Sequence, residues 1–286
     1  TNTVKLLGNF GTDRFTQKHT VLSPNALLFE SDDSLPGTLI DTATTNVNWN
    51  AGAGALWTLY PQSRKFRSAL SAGFTYGSVD FHLVSIVAKG LIAGQPSVGA
   101  ARSVATTEDQ GRTNDSGVYA QQEIAVLDGR LSLLAGMFGE RSSGNSDTRK
   151  YYFYPKLAAV YSLIKAGSGK REAFHMFDAL RVRAAYGEAG NPPGYGVKKY
   201  AGPTIGPERS REAELGLDLA TKDQRVVAEV TGYQRDTSDL LMSRLEESSS
   251  GLTALTSNCG SMRNRGIEAA VLVRPLVTKE VEWTSR

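Results

Sequence analysis

The chain has 286 residues, enough for one large domain or two of ordinary size. Its 32 basic and 29 acidic residues are interspersed, and the absence of a basic block argues against a nucleic-acid-binding protein. No apolar run reaches the roughly 18 residues that a membrane-spanning helix needs. An apolar share of 40% leaves two classes open, a soluble protein and a transmembrane β-barrel, because only every second residue of a barrel strand faces lipid.

The first half of the chain alternates apolar and polar residues with a period of two, which predicts β-strands. Asp128-Gly129 suits the positive φ angles of a tight two-residue turn, so the strands on either side of it are expected to form a hairpin. The strands predicted in this half cover residues 4–21, 42–59, 65–79, 113–127 and 130–142.

The second half continues the pattern, most clearly in residues 211–220. The carboxylates of this segment fall on one side of a strand and its leucines on the other, whereas a helix would scatter them around its axis. The strands predicted here cover residues 152–163, 177–188, 211–220, 226–233 and 267–274, with a further one beginning at residue 280. This gives about ten strands, most of them as long as the roughly 9–11 residues that a tilted membrane strand needs.

The connections between these strands alternate in length. The short ones are expected at residues 61–64, 128–129, 165–172, 222–223 and 276–279. The long ones are expected at residues 22–40, 81–111, 141–150, 190–207 and 241–263. Short turns on one rim and long loops on the other are typical of outer-membrane barrels, so the pattern predicts an all-β, antiparallel up-and-down transmembrane β-barrel wall.

Six stretches of sequence carry a more specific resemblance. In chain order they are DSGVYAQQE (115–123), GERSS (139–143), RVRAAYGEAGN (181–191), GPERSREAELG (206–216), YQRDTSDLL (233–241) and MRNRGIE (262–268). In this order they resemble the barrel of TonB-dependent outer-membrane receptors, specifically the TonB-linked SusC/RagA-like group, and the resemblance covers nearly the whole chain.

The resemblance implies a barrel of about 22 strands in the outer membrane of a Gram-negative bacterium, with the lumen filled by an N-terminal plug domain. It also implies contact with outer-membrane lipid, and with the TonB complex through a segment ahead of the plug. Members of this group import oligosaccharides, peptides or metal chelates and usually work with a SusD-like surface lipoprotein. The sequence does not indicate which ligand is transported.

The chain departs from this pattern at both ends. It shows no plug-like region, no TonB-contact segment and no signal peptide, and it stops at Ser285-Arg286 rather than at a strand ending in an aromatic residue. We therefore expect residues 1–286 to be a partial barrel domain, an incomplete wall of about ten strands, with the plug and the remaining strands outside this sequence.

The sequence indicates no catalytic, cofactor or metal site, and we expect a protein that is not an enzyme. The three histidines, His19, His82 and His175, lie far apart without cysteine or acidic partners at ligand spacing. Asp80 and His82 form an acid–histidine pair in sequence, but no serine in a Gly-x-Ser-x-Gly turn accompanies them.

Polar residues of the alternating strands are the candidates for function. We expect them to face the lumen and to form a salt-bridge network with the plug: Arg181, Arg183, Glu212, Glu214, Asp218, Glu229, Tyr233, Glu268 and Arg274. Ligand contacts are expected from the long, extracellular loops, with Asn191, Tyr195 and Tyr200 as candidates.

Two other functions stay open on the sequence alone. A passive porin or structural outer-membrane barrel would have the same strands and loops. A soluble β-sandwich that binds carbohydrate would also alternate apolar and polar residues, but it would stay in solution without detergent.

Overall fold

All strands of the computed structural model belong to one antiparallel sheet. The structure describes residues 2–24, 35–59, 66–164, 177–194, 204–221, 224–245, 254–277 and 282–285. The strands are β1 (Thr3–Ser23), β2 (Thr38–Leu59), β3 (Phe66–Lys89), β4 (Ser103–Val126), β5 (Leu131–Ser142), β6 (Tyr152–Ile164), β7 (Phe177–Asn191), β8 (Glu208–Thr221), β9 (Val226–Leu245), β10 (Ala254–Val277) and β11 (Glu282–Ser285).

Each strand pairs with the next one along the chain, so the sheet has up-and-down order. Within the described ranges, β1 pairs only with β2 and β11 only with β10, which leaves the sheet unclosed. The predicted all-β fold, an incomplete up-and-down barrel wall, is confirmed. None of the described helical segments is long and apolar enough to cross a membrane.

The two faces of the sheet differ in chemistry because the alternation of each strand is in register with its neighbours. In β8, Leu215 lies opposite Ala184 of β7 and Gly232 of β9, and Leu217 lies opposite Val182 and Val230. We call the side that carries Leu215 and Leu217 the apolar face. The opposite side, which carries the carboxylates of β8, is the polar face.

The apolar face forms a band of exposed side chains across the whole sheet. Ile267 of β10 is 80% exposed and Leu215 of β8 is 63% exposed, values that a packed core would not give. Trp57 of β2 lies toward one edge of the band, and Trp49 and Tyr76 lie in contact at the other, with ring centroids 5.1 Å apart. Apolar side chains bounded by amphipathic aromatics are the pattern of a lipid-facing surface.

Strands β1 to β4 continue well beyond Trp49 and Tyr76. We call this part, residues 14–23, 38–47, 80–89 and 103–112, the distal extension. Much of the predicted long loop at residues 81–111 is therefore strand, and the same holds for residues 241–263, where β9 runs to Leu245 and β10 begins at Ala254. These loop boundaries were wrong because the segments pair through the backbone without the regular alternation of apolar and polar residues that marks the other strands.

In the distal extension the contrast between the two faces is lost, because both faces carry polar as well as apolar residues. On the side continuous with the apolar face, Arg112 Nη2 donates to Asp80 Oδ2 over 3.0 Å, and His82 Nε2 lies 2.8 Å from Glu108 Oε1. On the side continuous with the polar face, the register places the apolar residues Phe15, Phe81 and Leu83. Farther out on the first side, Lys18 Nζ lies 3.2 Å from Asp41 Oδ2, and hydrogen bonds from Thr20 and Lys18 hold the pKa of Asp41 below its usual range.

The predicted hairpin at Asp128-Gly129 is confirmed, but the turn is longer than expected. Val126 pairs with Leu131, so residues 127–130 form a four-residue connection. Leu127, Asp128 and Gly129 all have positive φ angles, and the amide of Gly129 donates to the carbonyl of Val126 over 3.0 Å. The remaining predicted short connections lie wholly or partly outside the described residues.

Candidate functional site

The carboxylates and arginines of β7 to β10 meet on the polar face because their strands are in register. Glu212 lies opposite Arg235, and Glu214 lies opposite Tyr233, on the neighbouring strand β9. Glu229 lies opposite Asp218 in the same way. The even positions of β8 and the odd positions of β7 and β9 thus form one polar surface, as the period of two predicts.

Part of this surface is a concave site, which we call the polar pocket. Its lining contains six of the nine residues predicted from the sequence to face the lumen: Arg183, Glu212, Glu214, Glu229, Tyr233 and Glu268. It also contains three that the sequence reasoning missed: Thr231, Arg235 and Asn264. Strand parity could have found all three, since Thr231 and Arg235 share the parity of Glu229 and Tyr233 on β9, and Asn264 shares that of Glu268 on β10.

Arg183 links three strands in the polar pocket. Its Nε donates to Asp218 Oδ1 of β8 over 2.8 Å, and its Nη2 reaches Thr231 Oγ1 of β9 at 3.2 Å. The side chain crosses Gly216, where an added Cβ would lie 3.0 Å from Arg183 Cζ. A glycine in the middle of β8 therefore leaves the space that the guanidinium occupies.

A second ion pair joins Arg235 to Glu212, whose Oε2 lies 2.7 Å from Arg235 Nη2 and 3.0 Å from Nε. Glu214, Glu229 and Glu268 form no ion pair with any residue that the structure describes. The polar pocket consequently holds two arginines against four glutamates and has an excess of negative charge. Such a surface favours a cationic partner.

The other three predicted residues lie on the same strands but outside the lining. Asp218 lies next to the pocket as the partner of Arg183, and the register places Arg181 opposite Asp218. Arg274 lies near the other end of β10, where its backbone amide donates to the carbonyl of Arg225 over 2.8 Å. That these nine residues face a lumen and contact a plug stays a prediction.

Of the three loop candidates, only Asn191 falls within the described residues. It ends β7, and its Nδ2 donates to Glu208 Oε2 over 3.0 Å. The other oxygen of that carboxylate accepts from the amide of Leu241 over 2.9 Å. Tyr195 and Tyr200 lie outside the described residues, and a ligand role for all three stays a prediction.

The bases of three long connections are joined by hydrogen bonds, an arrangement we call the rim clasp (Ser146, Ile205, Gly206 and Asn258). The amide of Ser146 donates to the carbonyl of Ile205 over 2.9 Å, and the amide of Ile205 donates to Ser146 Oγ over 2.8 Å. Asn258 of β10 accepts from the amide of Gly206 through Oδ1 over 2.8 Å and donates to its carbonyl through Nδ2 over 3.0 Å. The sequence reasoning missed this cluster, because its members are far apart in the chain.

No group of three or more His, Cys, Asp or Glu residues in the described ranges is placed to hold a metal ion. Asp80 and His82 do not form the acid–histidine pair considered from the sequence, since each binds a residue of β4, Arg112 and Glu108 respectively. Both contacts are cross-strand pairs of an extended sheet.

Comparison with known proteins assigns the fold to a family. The family described as "TonB dependent receptor-like, beta-barrel" matches residues 2–285. The chain belongs to this family. TonB-dependent receptors are outer-membrane β-barrels and transporters rather than enzymes. The predicted likeness to the SusC/RagA-like group is confirmed by similarity to SusC and to RagAB.

Two curated relatives are TonB-dependent receptors. One, from Formosa agariphila, is 25% identical over 202 residues, which cover 63% of this chain and 20% of the relative. The other, the TonB-dependent receptor SusC of Bacteroides thetaiotaomicron, is 32% identical over 77 residues, covering 27% of this chain and 8% of SusC. The chain thus spans only a small part of the length of these TonB-dependent receptors.

Among solved structures, the RagAB peptide transporter superimposes with a TM-score of 0.74 at 16% sequence identity. The match covers 97% of this chain and 33% of the RagAB chain. The likeness shows that the eleven-stranded sheet has the fold of one section of a TonB-dependent receptor barrel.

Proposed function

We propose that the chain forms part of the barrel wall of an outer-membrane transporter that imports a nutrient into the periplasm with energy supplied through TonB. The observation that carries the proposal is the two-faced sheet itself. Its apolar face suits the lipid of a Gram-negative outer membrane, and its polar face bears a charged, concave site, as a lumen wall requires. The match to the receptor family over residues 2–285 supports the same function.

The substrate belongs to one of three classes, an oligosaccharide, a peptide or a metal chelate. The similar RagAB structure is that of a peptide transporter, which supports peptides within this range. Asn191, Tyr195 and Tyr200 are the proposed ligand contacts on the extracellular side. A SusD-like surface lipoprotein is the proposed partner there, in line with the likeness to SusC and RagAB.

The polar pocket is the proposed contact with the plug domain of the complete receptor. Glu214, Glu229 and Glu268, which form no ion pair within the described part of the chain, give it an excess of negative charge, so the complementary plug surface is expected to be basic. Among the described residues that line the pocket, the arginines are Arg183 and Arg235, and each of them already binds a carboxylate of the wall.

Transport is tested with the complete receptor in living cells. Strains that differ only in the receptor gene are compared for growth on purified oligosaccharides, peptides and iron chelates, with and without functional TonB. The proposal requires a substrate whose uptake needs both the receptor and TonB. An always-open pore in planar bilayers, with uptake that does not depend on TonB, would instead identify a passive porin.

The plug contact is tested by neutralising these three carboxylates together, as E214Q/E229Q/E268Q. Loss of these charges is expected to loosen the wall–plug contact, so that a large antibiotic normally excluded by the outer membrane enters more readily and uptake falls. The charge-conserving control, E214D/E229D/E268D, should behave nearly as the wild type. Unchanged antibiotic sensitivity and uptake in the glutamine variant would contradict the proposed contact.

A further inference from the structure

We propose that the apolar face holds one phosphate-bearing lipid molecule at a specific position, with its phosphate on Arg265 and an acyl chain in a furrow over Gly232. The inference rests on the proposed function, because it requires the apolar face to contact membrane lipid. It adds a defined lipid site to a surface that otherwise needs only to be apolar.

The furrow exists because β9 has no side chain where its neighbours have large ones. Gly232 lies opposite Leu215 of β8 and Ile267 of β10, which are exposed and stand on either side of it. A Cβ added to Gly232 would have no atom within 4 Å, so the space above the glycine is open. The concave site is lined on this face by Ala213, Leu215, Gly232, Gln234, Arg265 and Ile267.

The dimensions of the furrow fit a hydrocarbon chain. Adjacent strands lie about 4.8 Å apart, so the two side walls, Leu215 and Ile267, stand roughly 10 Å from each other across Gly232. Walls and floor are apolar up to the level of Ala213. A single acyl chain lying along β9 would cover apolar surface on both neighbours, which is favourable at about 25 cal/mol per Å².

Arg265 closes the furrow at its outer end. The register places it next to Gln234 on β9 and one side-chain position beyond Ile267 on β10, and its side chain is exposed. Arg265 forms no ion pair with any described residue. An exposed isoleucine directly beside a charged guanidinium suits the boundary between hydrocarbon and headgroups, where the apolar side chain contacts acyl chains and the charge reaches the interface.

The surrounding charges select an anion. On the same side of the sheet, Arg263 binds Asp236, and Arg209 Nε lies 2.7 Å from Glu188 Oε2. Arg211 Nε lies 3.5 Å from the other oxygen of Glu188. With Arg265, the described part of this edge of the apolar face therefore holds four arginines against two carboxylates. Guanidinium groups bind phosphate through paired hydrogen bonds. A lipid phosphate fits better than free phosphate, because free phosphate would leave the furrow below Arg265 empty.

The test uses the complete receptor reconstituted in nanodiscs of phosphatidylcholine with 20% phosphatidic acid, followed by native mass spectrometry of lipids retained after release. We expect the wild type to retain one phosphatidic acid molecule in preference to phosphatidylcholine. Arg265→Gln should lower that retention about tenfold, because it removes one strong charge-assisted contact with the phosphate. Gly232→Leu, whose Cβ would meet no atom within 4 Å and whose side chain would occupy the furrow, should lower it to a similar extent.

Arg14→Gln is the matched control, because Arg14 is an exposed arginine on the same side of the sheet but on β1. An equal loss with Arg14→Gln, or no loss with Arg265→Gln and Gly232→Leu, would overturn the lipid site. Substrate uptake is measured on the same variants. Normal uptake with unchanged lipid retention refutes the lipid site alone, whereas absence of TonB-dependent uptake in the wild type refutes the proposed function.

Discussion

Several glycines of the sheet lie directly beneath large side chains of a neighbouring strand. Tyr119 of β4 covers Gly73 of β3 and Gly54 of β2, and Phe138 of β5 covers Gly117 of β4. All of these residues belong to the polar face, where the register brings glycine and aromatic rings to adjacent positions. Each ring shields a stretch of backbone that has no side chain of its own, which stabilises strands that glycine would otherwise weaken.

Alanine at Gly73 should destabilise the receptor because the added methyl group has no space. Its Cβ would lie 2.7 Å from the carbonyl oxygen of Ala53 and 2.7 Å from Tyr119 Cζ, so the tyrosine ring would have to move. We expect Gly73→Ala to lower the free energy of unfolding by about 1–3 kcal/mol, measured from the urea midpoint of refolding into detergent micelles. Gly77→Ala is the control on the same strand and face, since a Cβ there meets nothing within 4 Å, and an equal effect at Gly77 would refute the steric explanation.

At the scale of the strand, the ends near the short connections were predicted well, whereas the opposite ends of β3, β4, β9 and β10 were not. The predicted strand 42–59 ends where β2 ends, at Leu59, and the predicted strand 130–142 matches β5 within one residue at its start. Apolar contrast is strongest there, because one face is made of exposed hydrophobic residues. In the distal extension both faces contain polar residues, so the sequence pattern stops while the backbone pairing continues.

The polar face could be predicted from the sequence because parity alone assigns residues to it. The ion pairs could not, because they depend on which residues the register brings opposite each other across β7, β8 and β9. The rim clasp was beyond sequence reasoning for the same reason, since Ser146 and Ile205 are brought together only by the folded sheet. The local sequence pattern therefore predicts the strands and their two faces. The contacts of the site depend on pairing between segments that are distant in the chain.

The rim clasp should depend on Asn258 more than on Asn264, which lies on the same strand in the polar pocket and outside the clasp. Asn258 makes two hydrogen bonds to Gly206 and donates a third to the carbonyl of Asp239 over 2.6 Å. Asn258→Ala is expected to cost about 1–3 kcal/mol and to speed amide hydrogen exchange at residues 204–207. Asn264→Ala, an exposed asparagine on the same strand, is the control, and identical exchange in the two variants would contradict the role of the clasp.

For the whole molecule, the unclosed sheet sets the conditions under which the chain can be handled. The described part of β1 has one paired edge, and the apolar face exposes a continuous band of large side chains. We expect residues 1–286 produced alone to aggregate without detergent, because unpaired edges and exposed apolar surface both promote association. The complete receptor should show a heat-dependent shift in gel mobility, and a soluble monomer of residues 1–286 would contradict this account.

At the proposed location in the outer membrane, the charged residues that follow the apolar face beyond Trp49 and Tyr76 fix the vertical position of the wall. If the sheet sank by one pair of residues, Asp80 and Arg112 would approach hydrocarbon while the apolar residues at the opposite edge entered water. If it rose by the same step, Phe74 would leave the lipid. Each step moves the sheet by about 7 Å along a strand. Placing a charged residue in hydrocarbon costs several kcal/mol only near the bilayer centre, so the cost of one step at the interface is smaller. Repeated over β1 to β4, these modest costs act together, so depth of insertion is determined by the sequence of the strands and not only by the thickness of the bilayer.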